Sequence, residues 1–386
     1  MTQHYDFIMA GGGAAGLSLA YQMAAGPLRG RSMLVIDRDA KQHNDRTWCY
    51  WSARPGPFDS LAYCTWDQVR FTGPGLDALL PLAPYRYRLV RGIDFYRHTR
   101  SVLADCPGVT LLQASVEKVV DSASRAAVSA ARETFTADFV FNSLYPVDDR
   151  SPQPGRYHSL WQHFKGWEIE TDRSVFDPST PVLFDFRTPQ NGAMRFFYIL
   201  PYSEKHALVE YTLFSADLLS DAEYNAGLTA YLQDVLHLAR FSVLAEEKGI
   251  IPMTDRPFAR RAGARVLNTG TRGGRVKPSS GYAFSRIQRD CAAIVQSLQT
   301  HGHPFAVPAH PARYRLFDTL MLQVMLRQGD RLAGIFSGLF RRNPIQRIFG
   351  FLDEENPLGS DLRLLASLDP GPFLRALLRV KILGKI

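Results

Sequence analysis

The stretch from residue 4 to residue 37 limits the possible folds of this chain more than any other. An apolar run, His4-Tyr5-Asp6-Phe7-Ile8-Met9-Ala10, leads into Gly11-Gly12-Gly13-Ala14-Ala15-Gly16. A helical segment follows, then a second apolar run, Leu34-Val35-Ile36, that ends on Asp37. Strand, glycine turn, helix, strand and acid in this order predict a dinucleotide site. Gly11 permits the tight turn, Gly13 lets the backbone approach a pyrophosphate, and Gly16 lets helix and strand pack closely. Ala14 and Ala15 open the helix, whose free N–H groups and positive dipole end face the phosphates. Asp37 lies about 20 residues further on, where an acid accepts hydrogen bonds from a ribose. The competing reading is an ordinary glycine turn.

The chain has 386 residues, enough for two or three structural units around a sizeable core. Its net charge is +8, yet no Lys/Arg block resembles a nucleic-acid arm. The charge therefore points to an anionic membrane surface or an anionic cofactor, with no nucleic acid as partner. Cys49, Cys64, Cys106 and Cys291 have neither metal-type spacing nor a disulfide framework, which fits a reducing cytoplasm. No histidine pattern suits a metal. The opening apolar run carries Asp6 and reads as a strand, not a signal peptide. No stretch reaches the ~18 apolar residues of a spanning helix.

Five segments follow from the pattern along the chain. Residues 1–92 hold the βαβ unit, with helix Leu17 to Ala25 stopped at Gly26-Pro27, and then an irregular stretch, 41–92, rich in Trp, Tyr, Pro and Gly. Residues 93–150 complete the dinucleotide domain, with a helix from Ile93 and a parallel strand, Phe135 to Phe141, returning to the first sheet. Residues 151–255 change to short strands with turn signals, such as Gly166 to Glu170, Pro181 to Phe186, Met194 to Leu200 and Ala207 to Phe214. They predict an antiparallel sheet followed by a helical stretch over 220–247. Residues 256–310 return to the first domain through a strand at Val266, a glycine loop from Gly270 and a helix. Residues 311–386 are helical and amphipathic. Leu316, Phe317, Leu320, Met321, Val324 and Met325 form one stripe, and Leu332, Ile335, Phe336, Leu339 and Phe340 another. Leu374, Leu377 and Leu378 recur among Arg375 and Arg379. Such helices suit the interface of an anionic leaflet, or a helical cap on the core.

The late glycine loop is where glutathione-reductase-type flavoproteins bring a second loop to the flavin, although Thr271-Arg272 stand where many of them carry Asp. The pattern Gly270-x-x-Gly273-Gly274-x-x-x-Pro278-Ser-Ser-Gly281-Tyr282 resembles the flavin-side motif of the carotenoid lycopene cyclases. Asn44-x-x-Thr47-Trp48, Gly166-x-Glu168 and Arg195-Phe196-x-Tyr198-x-Leu200-Pro201 match further motifs of that family in order. Leu208-Val209-Glu210-Tyr211-Thr212 is similar to its acidic motif, but Tyr211 replaces the second acid. Only Glu210 carries over, so a two-carboxylate mechanism at this motif lacks its second member. The resemblance implies an α/β fold. It consists of a glutathione-reductase-type (Rossmann-like) FAD-binding domain, an antiparallel β-sheet substrate domain and a C-terminal helical region.

The resemblance also implies an enzyme, an isomerase (intramolecular lyase) of the lycopene β-cyclase kind. It would convert lycopene through γ-carotene to β-carotene by proton-initiated ring closure without net redox change. The cofactor implied is FAD in its reduced form, with NADPH or NADH as electron donor. Gly11, Gly13, Ala14, Ala15, Gly16, Asp37, Arg46, Gly270, Gly273, Gly274, Pro278, Gly281 and Tyr282 are its expected contacts. Glu210 is the expected catalytic acid, with Glu168 orienting it or taking the final proton. Trp48, Trp51, Phe197 and Tyr198 would line the tunnel for lycopene or a related acyclic carotenoid. Read from the residues alone, Glu210, Glu168 and Glu170 are solvent-facing positions on strands, and about half of the aromatics are core. The expected place is the cytoplasmic side of a bacterial inner membrane, peripherally, beside other carotenoid-pathway enzymes. The rival readings are a flavin-dependent monooxygenase or prenyl reductase acting on a lipophilic isoprenoid, and a non-catalytic carotenoid- or flavin-binding protein.

Overall fold

The computed structural model of the chain describes residues 3–145, 157–309 and 311–382. Strand His4–Ala10 lies inside a seven-stranded sheet. It pairs in parallel with Met33–Asp37 and with Glu133–Asn142; Val109–Gln113 and Val266–Asn268 extend the parallel part. Ala126–Ala130 and Val116–Val120 continue it antiparallel. Ile8, Met9 and Ala10 are fully buried, as a parallel strand covered on both faces requires. Helices Ala14–Ala24, Gly92–Ala104 and Phe284–His301 share one apolar cluster with one face of this sheet.

A second seven-stranded sheet runs in the order Phe241–Thr254, Ser159–Thr171, His206–Ser215, Met194–Pro201, Val182–Asp185, Gln68–Gly73, Leu76–Pro81. It is antiparallel except where Val182–Asp185 meets Gln68–Gly73. The stretch 41–92, expected to be irregular, is therefore largely strand. Thr47–Ser52, Arg86–Arg91 and Cys64–Trp66 also form a small sheet of their own. Its aromatic side chains suit a pleated, half-buried surface even without clean alternation. The expected boundary at residue 150 lies outside the described residues.

The helical stretch expected over 220–247 is shorter than its composition indicated. Helix Asp221–Ala230 opens on a Ser220/Glu223 capping box. By Phe241 the chain is a strand, because Ala245-Glu246-Glu247-Lys248, good helix formers locally, pair along the edge of Ser159–Thr171. On the other face of the second sheet lie helices Ala312–Arg327 and Leu332–Arg342. Their stripes do not face outward: Val324, Met325, Leu332, Ile335 and Phe340 pack with Phe71, Phe184 and Phe196 in one core. Each fully buried side chain of this size contributes about 1.5–3 kcal/mol. The exposed leucines sit further on, at Leu358, Leu362, Leu374 and Leu378.

Candidate functional site

A cavity of about 500 Å³ opens where the two sheets meet. Gly13, Ala14 and Ala15 line one end of it. Helix Ala14–Ala24 begins there with no side-chain cap, so its first N–H groups are free for a ligand. A Cβ on Gly13 would meet nothing within 4 Å, and this glycine leaves the approach clear. Gly11 has φ +109, a conformation glycine alone adopts readily, and a Cβ on Gly16 would strike the Gly11 carbonyl. Gly11 and Gly16 thus shape the turn from behind. Asp37 does so as well: its carboxylate accepts the N–H groups of Gly12 at 2.6 Å and Asp39 at 2.8 Å, and it does not line the cavity.

Arg46 and Trp48 from strand Thr47–Ser52 and its approach form a second wall, and Gly270, Gly281 and Tyr282 a third. Gly270 and Gly281 have φ of +57 and +73. At Gly281 the missing Cβ leaves room for the Gln162 amide oxygen. Gln162 Oε1 and Ser280 Oγ, both on cavity-lining residues, are buried without a hydrogen-bond partner among the described residues. An uncapped helix start, an open glycine and buried polar atoms awaiting partners fit a large polar ligand with a pyrophosphate. Gly273, Gly274 and Pro278 belong to the same loop but do not line the cavity. A Cβ on Gly273 would press on the Asn268 carbonyl, and Gly274 packs at φ +72 against Phe258.

Glu210 is the one acidic side chain among the described residues that line this cavity. It stands in a row across four strands: Tyr198 pairs with Glu210, Glu210 with Gly166, and Gly166 with Glu247. In-register neighbours share a face, so both carboxylates lie on the same side with only a glycine between them. Burial, and then the charge of Glu247, push the Glu210 carboxyl up to about 8, against a 2.7 Å hydrogen bond from Thr212 Oγ1. Glu247 is also raised by burial, but Thr47 opposes this with two donors, its N–H at 2.9 Å and its hydroxyl at 2.6 Å. Sequence reasoning missed Glu247, which falls in the run read as helix; the Gly249-Ile250-Ile251 that follows is the signal for a strand.

The alternation of the strand decides several other residues. Tyr211 points to the opposite face, stacked on Phe197 at 4.7 Å. An acid at position 211 would not reach the cavity, so the tyrosine there removes no carboxylate from it. Phe197 likewise does not line the cavity; it is fully buried against Tyr231 under helix Asp221–Ala230. Glu168 shares the face of Gly166 but pairs with His206 at 2.8 Å and lies outside the lining.

A second cavity, about 280 Å³, lies between the second sheet and the C-terminal helices. Its walls are apolar and aromatic, with Trp51, Phe184, Phe336 and Phe349 among them. Trp51 stacks on Phe349 at 4.2 Å and donates its indole N–H to Asp353 at 2.7 Å. Tyr198, Ser280 and Tyr282 line both cavities, with the two tyrosine hydroxyls 3.5 Å apart at the junction. Leu374 and Leu377 belong to its walls from the terminal helix. Among the described residues the four cysteines are free, no His/Cys/Asp/Glu group could hold a metal, and no helix is long and apolar enough to cross a membrane.

The family model described as "Lycopene cyclase protein" matches residues 6–378. The lycopene beta-cyclase of Paracoccus sp. (strain N81106 / MBIC 01143) is 28% identical over 301 residues, 72% of this chain and 70% of that protein. Among solved structures, a flavoprotein/dehydrogenase from Cytophaga hutchinsonii superposes with a TM-score of 0.63 at 13% identity, covering 100% of both chains. A geranylgeranyl bacteriochlorophyll reductase-like protein from Thermoplasma acidophilum gives 0.61 at 12% identity, covering 99% of this chain and 100% of that one. The p-nitrophenol 4-monooxygenase of Pseudomonas putida gives 0.58 at 14%, covering 100% and 99%. At these identities the likenesses show the fold alone: α/β, of the FAD-dependent oxidoreductase type, with a C-terminal helical region.

Proposed function

The chain belongs to the lycopene cyclase family, and from that premise we propose that it closes the acyclic ends of lycopene into β-ionone rings as a lycopene β-cyclase. One observation carries this reading: Glu210, a buried carboxyl pushed up to about 8, lines the polar cavity in register with Tyr198, where that cavity meets an apolar one. An alkene is a poor base, so its protonation needs an acid shielded from water. Thr212 donates to Glu210 Oε1, which leaves Oε2 to carry the acidic proton. Glu210 passes this proton to C2 of the terminal C1=C2 bond and leaves a cation at C1. The C5=C6 bond attacks, C1–C6 forms, and the charge moves to C5. Loss of the C6 proton to solvent gives the β-ring and solvent reprotonates Glu210, so atoms and electrons balance without a net oxidant.

Tyr198 on the Glu210 row and Trp48 across the cavity shield the cation, each worth on the order of 1–2 kcal/mol when desolvated. Gly13, Ala14 and Ala15 would hold the FAD pyrophosphate, with Arg46, Gly270, Gly281 and Tyr282 beside the rest of the cofactor. Asp37 retains lone pairs for a ribose hydroxyl beyond those engaged by the backbone. Held by these residues and kept reduced by NADPH or NADH, FAD would supply negative charge to the site.

A hydrocarbon substrate of this length dissolves only in a bilayer. Leu358, Leu362, Leu374 and Leu378 are exposed next to exposed Arg363, Arg375 and Arg379, and Leu374 also lines the apolar cavity. This supports peripheral docking of the cavity mouth on an anionic leaflet, the cytoplasmic side of a bacterial inner membrane. The reading is tested by anaerobic incubation with lycopene, FAD and a chemical reductant. Cyclised products of unchanged mass are expected; an oxygenated or hydrogenated product overturns it in favour of a monooxygenase or prenyl reductase.

A further inference from the structure

We propose that Glu247 is a positioning residue that keeps the working proton on Glu210. The inference rests on the reading of Glu210 as the acid and supplies what the Glu210 motif itself lacks, a second carboxylate. That carboxylate comes from the strand Phe241–Thr254, two strands away. Gly166 stands between the two in register, and a side chain there would intrude: its Cβ would lie 2.9 Å from Leu208 Cδ1 and 3.4 Å from Glu210 Cβ. With a glycine there, no side chain of the middle strand stands between the two acids on this face.

The two carboxyls are not equivalent. Glu247 Oε1 and Oε2 both accept from Thr47, one from the backbone N–H and one from the hydroxyl. Two donors favour the ionised form, and so fix the negative charge on Glu247. Glu210 has one donor, Thr212, and is the member that lines the cavity. Across one intervening strand of a buried site each negative charge opposes the ionisation of the other, so the proton goes to Glu210. The asymmetry points the acid at the substrate and keeps its partner behind it.

The surroundings do not cancel this field. Among the described residues no salt bridge joins Glu210 or Glu247 to a cation. Arg46 beside Thr47 favours ionised Glu247, and Asp45 opposes it. Cys49, Tyr198, Tyr202 and Tyr282 face the pair and are held neutral by burial. Glu168 is taken up by His206, and Glu246 by Lys165 at 3.0 Å.

The test follows the protonated carboxyl directly, by infrared titration of the full-length protein, with the band assigned by its loss in Glu210→Gln. In Glu247→Gln the midpoint should fall by about one pH unit or more, and the alkaline limb of the kcat/KM profile should fall with it while KM stays constant. Glu247→Asp should restore part of the shift. Should Glu247→Gln fail to fold, Thr47→Val, which removes one donor from Glu247, should lower the midpoint in the same direction by less. An unchanged or raised midpoint in these variants overturns the role of Glu247. Absence of any Glu210 band in the wild type at pH 7 overturns Glu210 as the neutral acid along with it. A normal shift together with oxygenated or hydrogenated products leaves the carboxyl pair standing and sinks the cyclase reading instead.

Discussion

Glu210 costs the fold something to keep, and that cost has a sign. Burial and the charge of Glu247 push its carboxyl up to about 8 in the folded chain, while in an unfolded chain the ordinary value is about 4.3. Between those values the folded state binds the extra proton, so this group's contribution to stability falls as pH rises through the window. Glu210→Gln should therefore gain about 1–3 °C in Tm over the parent at pH 8.5 and little at pH 4, read by paired thermal scans. The same variant should lose turnover by about 100-fold or more, as expected for a general acid, measured by product chromatography. The sequence makes Glu210 visible only through the motif around it. Its strand alternates on a period of two, and residues alone cannot say which face meets a cavity. That ambiguity is why Phe197 reads as a tunnel residue when it packs under helix Asp221–Ala230, and why Glu168 reads as a site residue when it pairs with His206. Glu247 is harder still, since Glu246, Glu247 and Lys248 have helical propensity and only pairing with Ser159–Thr171 makes them strand.

At the scale of elements, the loop carrying Gly270 to Tyr282 is tied to the helical cap through Lys277. This side chain is fully buried and meets Asp318 of helix Ala312–Arg327 at 2.9 Å and Glu354 at 3.0 Å, where Arg286 also reaches Glu354 at 2.9 Å. Removing one member of a buried ion cluster leaves the others uncompensated. Lys277→Met should lower stability by about 3–5 kcal/mol in denaturant titration. It should weaken flavin binding as well, because the loop loses its anchor. The double variant Lys277→Met/Asp318→Leu should recover part of the stability, since it removes an orphaned charge. The loop was legible from its glycines, and the βαβ unit from its order of strand, turn, helix and acid. The strands of 41–92 were not, because Pro, Gly and Trp break up that stretch and only short runs such as Tyr85-Arg86-Tyr87-Arg88 alternate.

At the scale of the molecule, two cavities share a junction, and one of them runs to the terminal helices. The C-terminal region read as amphipathic throughout, and composition could not tell a cap from a docking surface. Most of its stripes are core, since Ala312–Arg327 and Leu332–Arg342 cover the second sheet. The outward leucines are confined to Leu358, Leu362, Leu374 and Leu378. Leu374→Ser with Leu378→Ser should therefore weaken co-sedimentation with anionic vesicles about tenfold or more. Flavin absorbance of the loaded protein should not change, because both residues lie far from the glycine turn in the chain and outside the polar cavity. The central claim is that a solvent-exchangeable proton held on Glu210 starts each ring closure. Anaerobic turnover of lycopene in D₂O tests it most directly. The account predicts a single deuterium at C2 of every ring formed and no other change in composition; rings without solvent deuterium, or products carrying oxygen or added hydrogen pairs, would contradict it.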